Sequence, residues 1–419
     1  MKTAVCIFED EGTHNFLPLT YTRPVYDLRC GILTLREKIF SRFPGCKIIL
    51  HSRRYLIEII KEQNPKSQVN QFDSEDVLFI NGRLLINTSS LNTIKRLAKN
   101  SILLSDDRSI IAANLSGSSL SNYFKSESDY LPLYKIKNLT VVDSDIKLLK
   151  YPWELVNRNG EEITNDFHYT IKKISRIETK KYPSIELKER KKIFISKGVV
   201  LDPFVFLDAT EGPIYIGKNV RIMSHTYIQG PVFIGTDSII KKGGTIYHNT
   251  SIGEVCKVGG EVESSIIHSY SNKQHEGFLG HSYLGSWINL GADTNNSDLK
   301  NNYENITVLL NGRPVNTGSR FVGLIMGDHS KTAINTMFNT GTIVGVSCNI
   351  FGAGFPPRYI PSFSWGGSDF LKPYDIKKSL EVAAIVTRRR DKDLTLTGEN
   401  LLRKIFELTA DERARKMKL

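Results

Sequence analysis

A chain of 419 residues, 40% hydrophobic and 24% charged, is long enough for two domains with generous cores. No stretch approaches the ~18 apolar residues of a membrane span and no leader pattern precedes Glu9, while five scattered cysteines without C-x-x-C pairing argue against a disulfide framework or zinc ribbon; the expectation is a reducing, cytoplasmic setting. The net charge of +12 hints at nucleic acid, but ten Lys or Arg against three Glu in 170–200 and thirteen against eight acidic residues in 370–419 account for all of it, and such segments read as a solvated spacer and a tail.

From the N-terminus, "TAVCIF" (3–8), "CKIILH" (46–51) and "DVLFING" (76–82) are short buried-strand signals. "GILTLREKIFSRF" (31–43) and "YLIEIIKEQ" (55–63) carry helical spacing. Strands alternating with helices predict a mostly parallel βαβ sheet. Residues 1–170 are therefore read as an α/β domain and 171–197, with Pro183, as a basic linker.

The second half is periodic. An apolar residue recurs every six positions from Ile216 through Ile222, Ile228, Ile234, Ile240, Ile246 and Ile252 to Val258. Four residues after the first seven stand Val220, Thr226, Val232, Ser238, Gly244, Thr250 and Cys256, smaller or β-branched. Neither a helix nor a flat strand has a period of six, whereas a parallel β-helix does. The register loosens after Val258, returns as Phe278, Leu284 and Leu290, and resumes as Phe338, Val344 and Ile350. "DTNNSDLKNNYENITVLLNGRPVNTG" (293–318) interrupts it and is expected to leave the coil as a loop. The β-helix is placed at 198–368 and a helical tail at 369–419.

"NKQHEGFLG", "INLGADT" and "NNY" (272–303) resemble the K-x-x-H-x-x-Y-x-G run, the V-N-I-G-A-G-T segment and the N-Y pair of bifunctional N-acetylglucosamine-1-phosphate uridyltransferase / glucosamine-1-phosphate N-acetyltransferases. "LPLTYTRPVYDLRCGILTLREK" and "GDHSKTAINTMFNTGT" resemble signatures of a bacterial group related to that enzyme. The resemblance implies a nucleotidyltransferase-like (Rossmann-like) α/β domain, a left-handed parallel β-helix of hexapeptide repeats, trimerisation, and acetyl-CoA held between coils. It places His275 on the catalytic histidine and Phe278 on the tyrosine. It assigns Asn289, Asn302, Tyr303 and Phe278 to the sugar phosphate, and Gly291, Ala292 and Asn335 to acetyl-CoA.

The chemistry is consistent with this. A base titrating near neutrality suits proton removal from an attacking amine, which favours histidine. Glu276 stands beside His275 to orient the ring or act on the amine, and N–H groups around Gly291–Ala292 are candidate oxyanion donors. His268 and His281 with His275 form the alternative, a zinc site; their spacings place the rings on different faces or coils, so no metal is assigned.

The N-terminal domain departs from the family. A glycine-rich phosphate loop is replaced by "EDEGTHNFLPLTYTRP" with one glycine, and a metal-binding aspartate by "FINGRLL" with Asn81 and Arg83. Arg23, Arg29, Asn81 and Arg83 are the candidate phosphate or nucleotide contacts, Lys38 a weaker one. The alternative for "TRPVYDLR" is a rigid turn in which Arg23 caps a carboxylate such as Asp27. Nucleotidyl transfer would call for Mg²⁺. The reading is an acetyl-CoA-dependent N-acetyltransferase for an amino-sugar phosphate with uridylyl transfer second, against a non-catalytic nucleotide-sugar-binding or assembly platform.

Overall fold

The short apolar runs of the first half form strands and the amphipathic runs between them form helices: β1 (Ala4–Phe8), α1 (Leu35–Arg42), β2 (Ile48–Leu50), α2 (Ile57–Gln63), β3 (Gln68–Val69) and β4 (Asp76–Asn81). The computed structural model describes residues 4–72, 76–116, 129–133, 136, 138–171 and 184–417. Further on come α3 (Thr88–Lys95), β5 (Ser101–Leu104), β6 (Ile110–Ser116), β7 (Thr140–Asp143) and α4 (Pro152–Ile171), none of which the apolar spacing singles out. The seven strands lie in the order β3-β2-β1-β4-β6-β5-β7, all parallel except β6. The expected mostly parallel sheet is the one observed. α1 begins where Thr34 and Glu37 make a capping box.

From Glu186 the chain winds into a three-sided prism of parallel strands. The first face runs from Ile193–Ile195 to Tyr359–Ile360, the second from Val200–Leu201 to Ser364–Gly366, and the third from Glu186–Lys188 to Phe278–Gly280. The prism thus starts earlier than the expected residue 198, and 186–197 belong to its first coil. Residues 172–183 of the expected linker lie outside the described residues. Ile216, Ile222, Ile228, Ile234, Ile240 and Ile246 are all fully buried in one interior column set, as the six-residue period requires.

After Val258 the buried positions are Val262, Ile267, Lys273, Leu279, Leu284, Leu290 and Asn296, so the steps shorten to four or five residues at three places. That shift corrects the reading of Phe278, which faces outward while Leu279 fills the core. It also places Lys273 inside.

The interruption begins later than expected, since Asn295–Asn296 still form a strand paired with Met337–Phe338. The excursion beyond Asn296 is more than a loop. Thr307–Leu310 and Arg313–Asn316 form an antiparallel hairpin, and Ile306, Val308 and Leu310 pack with Phe16, Leu19 and Leu28 of the α/β domain.

The tail is helical, as expected: α5 (Ile376–Arg388), α6 (Leu396–Leu408) and α7 (Ala410–Met417). Leu380, Leu401, Leu402 and Ile405 share a core with Leu56 and Ile60 of the α/β domain and Val346 and Phe363 of the prism. Glu412 accepts from Tyr21 at 3.1 Å and from Tyr359 at 2.8 Å, tying the tail to both.

The α/β domain docks on the first face. Asn159 of α4 donates to the Asn249 carbonyl at 2.7 Å, and Ser251 Oγ donates to the Gly31 carbonyl at 2.9 Å. Helix and prism approach so closely at Gly160 that a Cβ there would lie 1.7 Å from Asn249 Oδ1.

Candidate active site

His275 sits on the corner between the second and third faces, exposed, between the strands Asn272–Lys273 and Phe278–Gly280. The corner is held from within. Lys273 is 2% exposed, and its Nζ donates to the carbonyls of Gly259 at 3.0 Å and His275 at 2.8 Å. Burial pushes this ammonium down to about 8, and nearby Glu276, Asp293 and Glu261 offset only part of the shift. No sequence signal marks Lys273 until the register is reset by the short steps. It then falls six residues after Ile267 and six before Leu279.

Gly291, Ala292 and Asn335 stack on the same corner in the following coils. The Asp293 N–H donates to the Glu276 carbonyl at 3.1 Å, and the Asn335 N–H to the Ala292 carbonyl at 2.8 Å. Asp293 and Asn335 turn the corner with φ of 53° and 56°. The N–H of Gly291 is already taken by Thr332 Oγ1 at 2.9 Å, so it cannot serve as an oxyanion donor. Among the described residues, the Ala292 N–H has no hydrogen-bond partner. No hydrogen bond among the described residues joins Glu276 to the His275 ring.

Asn289 lies on the second face in register with Asn272 and Lys331, and its Oδ1 accepts from Asn272 Nδ2 at 3.3 Å. Phe278 lies outward on the third face, its N–H donating to Asn295 Oδ1 at 2.7 Å. Asn302 and Tyr303 are exposed on the segment after Asn296, which leaves by the corner between the third and first faces. There His281 pairs with Asp298 at 2.8 Å and stacks on Phe321 at 4.8 Å. The structure therefore brings His275, Asn289, Gly291, Ala292 and Asn335 together, and sets Asn302 and Tyr303 on another edge.

The three histidines weighed for zinc occupy three different corners. His268 is buried at the first, its ring kept neutral by burial. His275 is at the second and His281 at the third. Among the described residues no group of three or more His, Cys, Asp or Glu is arranged to hold a metal ion.

In the α/β domain the candidate phosphate contacts are engaged elsewhere. Arg23 bonds to Asp328 and donates to Ser286 Oγ at 3.2 Å, both on the prism. It does cap a carboxylate, but that of Asp328; Asp27 is held by Arg36 at 2.8 Å. Arg29, 5% exposed, pairs with Glu254 at 2.9 Å and lies over Phe233. Both arginines are docking residues of the domain seam. Lys38 is buried with Glu162 and Asp166, each at 2.6 Å.

Arg83 donates through Nε to Asp10 Oδ1 at 2.7 Å, through Nη2 to Asp10 Oδ2 at 2.5 Å, and through Nη1 to the Leu149 carbonyl at 2.8 Å. Asn81 donates to the same carboxylate at 2.8 Å. The guanidinium lies directly over Gly12, where a Cβ would be 2.4 Å from its central carbon. The end of β1, where a phosphate loop would open, is thus filled by an internal ion pair. Mg²⁺ needs free carboxylate oxygens, and Asp10 has its oxygens occupied, so this place does not suit the cation.

Comparisons with known proteins agree with the motifs. The family model "Sugar nucleotidyl transferase" matches residues 5–174. A bifunctional sugar-1-phosphate nucleotidylyltransferase/acetyltransferase from Sulfurisphaera tokodaii is 31% identical over 164 residues, 39% of this chain and 40% of that protein. A "Bifunctional protein GlmU" from Methanococcus vannielii is 33% identical over 121 residues, 29% of this chain and 28% of that protein. The matched segments thus span well under half the length of these curated relatives. A solved Arabidopsis UDP-N-acetylglucosamine acyltransferase aligns over 56% of this chain and 94% of its own at 12% identity, with a TM-score of 0.29. The resemblance carried by the motifs holds: this chain is similar to bifunctional sugar-phosphate nucleotidyltransferase/acetyltransferases, with a sugar nucleotidyl transferase match over residues 5–174.

Proposed function

We propose that the protein is an acetyl-CoA-dependent N-acetyltransferase for an amino-sugar phosphate of the glucosamine-1-phosphate kind, with His275 as general base. The observation that carries this reading is the single corner that unites exposed His275, the unpartnered Ala292 N–H and Asn335. There His275 takes the proton of the attacking amine, and the Ala292 N–H faces the charge that develops on the thioester oxygen. Lys273 fixes the backbone that carries the base.

The corner is a convex edge, and Asn302 and Tyr303 stand on a different edge of the same prism. A second copy, as in a homotrimer, would bring one chain's Asn302 and Tyr303 to another's His275. The cytoplasm supplies acetyl-CoA and sugar phosphates and matches five free cysteines.

For the α/β domain the Asp10–Arg83 pair favours a platform or nucleotide-binding role over Mg²⁺-dependent uridylyl transfer. Mass spectrometry of products from glucosamine-1-phosphate, acetyl-CoA and UTP, each omitted in turn, tests both halves. The expected product is the N-acetylated sugar phosphate without pyrophosphate release. His275→Ala should lower acetyl transfer by roughly 10²- to 10⁴-fold with an unchanged melting temperature, because the side chain is exposed. An unchanged rate in that variant removes His275 from the chemistry, and robust pyrophosphate release with Mg²⁺ overturns the platform role.

A further inference from the structure

The second face carries an outward ladder that the proton transfer at His275 does not use. Lys257, Asn272, Asn289 and Lys331 stand in register, one per coil. At the ~4.8 Å spacing of neighbouring strands, the four span roughly 14 Å. Arg390, just past α5, reaches across and donates to Asn272 Oδ1 at 2.7 Å. Asn272 in turn donates to Asn289 Oδ1 at 3.3 Å. Two amides therefore stand beside two cations, Lys257 one coil away and Arg390 delivered by the tail.

Lys331 Nζ donates to the His329 carbonyl at 2.7 Å, and burial alone pushes its ammonium down to about 8. Burial, then repulsion from Arg390, Lys241 and Arg389, lowers Lys257. Among the described residues, no carboxylate pairs with Lys257, Lys331 or Arg390. At two other strand positions of the prism a basic residue finds an acid one coil away: Arg221 finds Asp202 at 3.1 Å and Lys188 finds Asp208 at 3.2 Å. Like charges gathered in a fixed array repel unless an anion joins them, and an array of ammonium, guanidinium and amide donors suits phosphate oxygens.

We propose that Lys257 and Arg390, with the amides of Asn272 and Asn289, form a binding site for a phosphoryl group on the second face, three residues from His275 along the coil and completed by the packed tail. It deepens the acetyl-transfer reading and rests on it only for the identity of the molecule that carries the phosphate. Either the amino-sugar phosphate or the phosphates of acetyl-CoA present this chemistry.

Inorganic pyrophosphate titrated into the full-length protein by calorimetry tests the site without any turnover. Arg390→Gln and Lys257→Gln, both outward and expected to keep the wild-type melting temperature, should each weaken binding about tenfold or more, and added salt should weaken the wild type steeply. Steady-state kinetics then identifies the source. If the sugar supplies the phosphate, Arg390→Gln raises the KM for glucosamine-1-phosphate and not for glucosamine. If the co-substrate supplies it, the KM rises for acetyl-CoA and not for S-acetyl-pantetheine. No pyrophosphate binding by the wild type, or equal affinity in folded variants, overturns the site. Pyrophosphate binding that the variants lose, in a protein that acetylates neither sugar, leaves the site standing and removes the acetyl-transfer reading instead.

Discussion

Lys273 occupies an interior position where most other coils place Ile, Val, Leu or Met, and its burial makes the fold sensitive to alkaline pH. Its folded value of about 8 lies below the ordinary lysine value of 10.5, so between those limits the unfolded chain binds more protons than the folded one. Stability then rises with pH through that window. Lys273→Met removes the titrating group and leaves the Gly259 and His275 carbonyls without their donor. Chemical denaturation at pH 7.5 and 10 should show wild-type stability gaining on the variant as pH rises, by about 1–3 kcal/mol. A stability difference that stays constant between the two pH values would mean that the ammonium is not desolvated. At this scale His275 and its corner companions were singled out by the motif resemblance and not by the hexad, whose register breaks after Val258. Lys273 was not, because the four- and five-residue steps that turn it inward leave only a broken period in the sequence.

Two elements carry the architecture, the hexapeptide winding and helix α4. The winding follows from apolar spacing alone, since each inward isoleucine meets its counterpart one coil away: Ile222 pairs with Ile240 and Ile228 with Ile246. Ile240→Ala should cost about 2–5 kcal/mol, read as a shift in the denaturation midpoint, because rigid neighbouring coils cannot collapse into the space. Helix α4 is not legible in the same way, and its Gly160 reads in isolation as a weak helix residue. Alanine in a free helix would gain up to about 1 kcal/mol over glycine. Here the new Cβ would meet Asn249, so Gly160→Ala should lose about 1–3 kcal/mol. Asn249→Gly in the same chain should restore most of it, since Asn249 has a φ of 57° that glycine adopts freely. Failure of that rescue would place the strain elsewhere than at the helix–prism contact.

Across the whole molecule, the α/β domain, prism and tail are joined by ion pairs and shared cores. Arg29–Glu254 and Arg23–Asp328 span the seam, and Arg413 lies 3.9 Å over the Phe406 ring beneath Phe363. Among the described residues, Arg29→Ala leaves Glu254 with only Ser269 as a side-chain partner, and it opens the contact with Phe233. Its expected cost is about 2–4 kcal/mol, and a single calorimetric transition should split, with the α/β domain melting first. A single transition at the wild-type temperature would show that the apolar contacts alone dock the domain. The motif "TRPVYDLR" draws notice for its arginines, and those arginines matter for docking.

The order of residues by itself determined the β-helix, the mostly parallel character of the first sheet and the helical tail. Those features depend on local periodicity and on side chains that alternate between interior and solvent. Tertiary structure alone decided the partners of the buried charges. Asp10 meets Arg83, Arg29 meets Glu254 and Arg390 meets Asn272 across separations of 73, 225 and 118 residues. A charge far from its partner in the chain carries no mark of whether it will be neutralised by a carboxylate or left to hold a ligand. That choice is made when the tail and the α/β domain pack onto the prism.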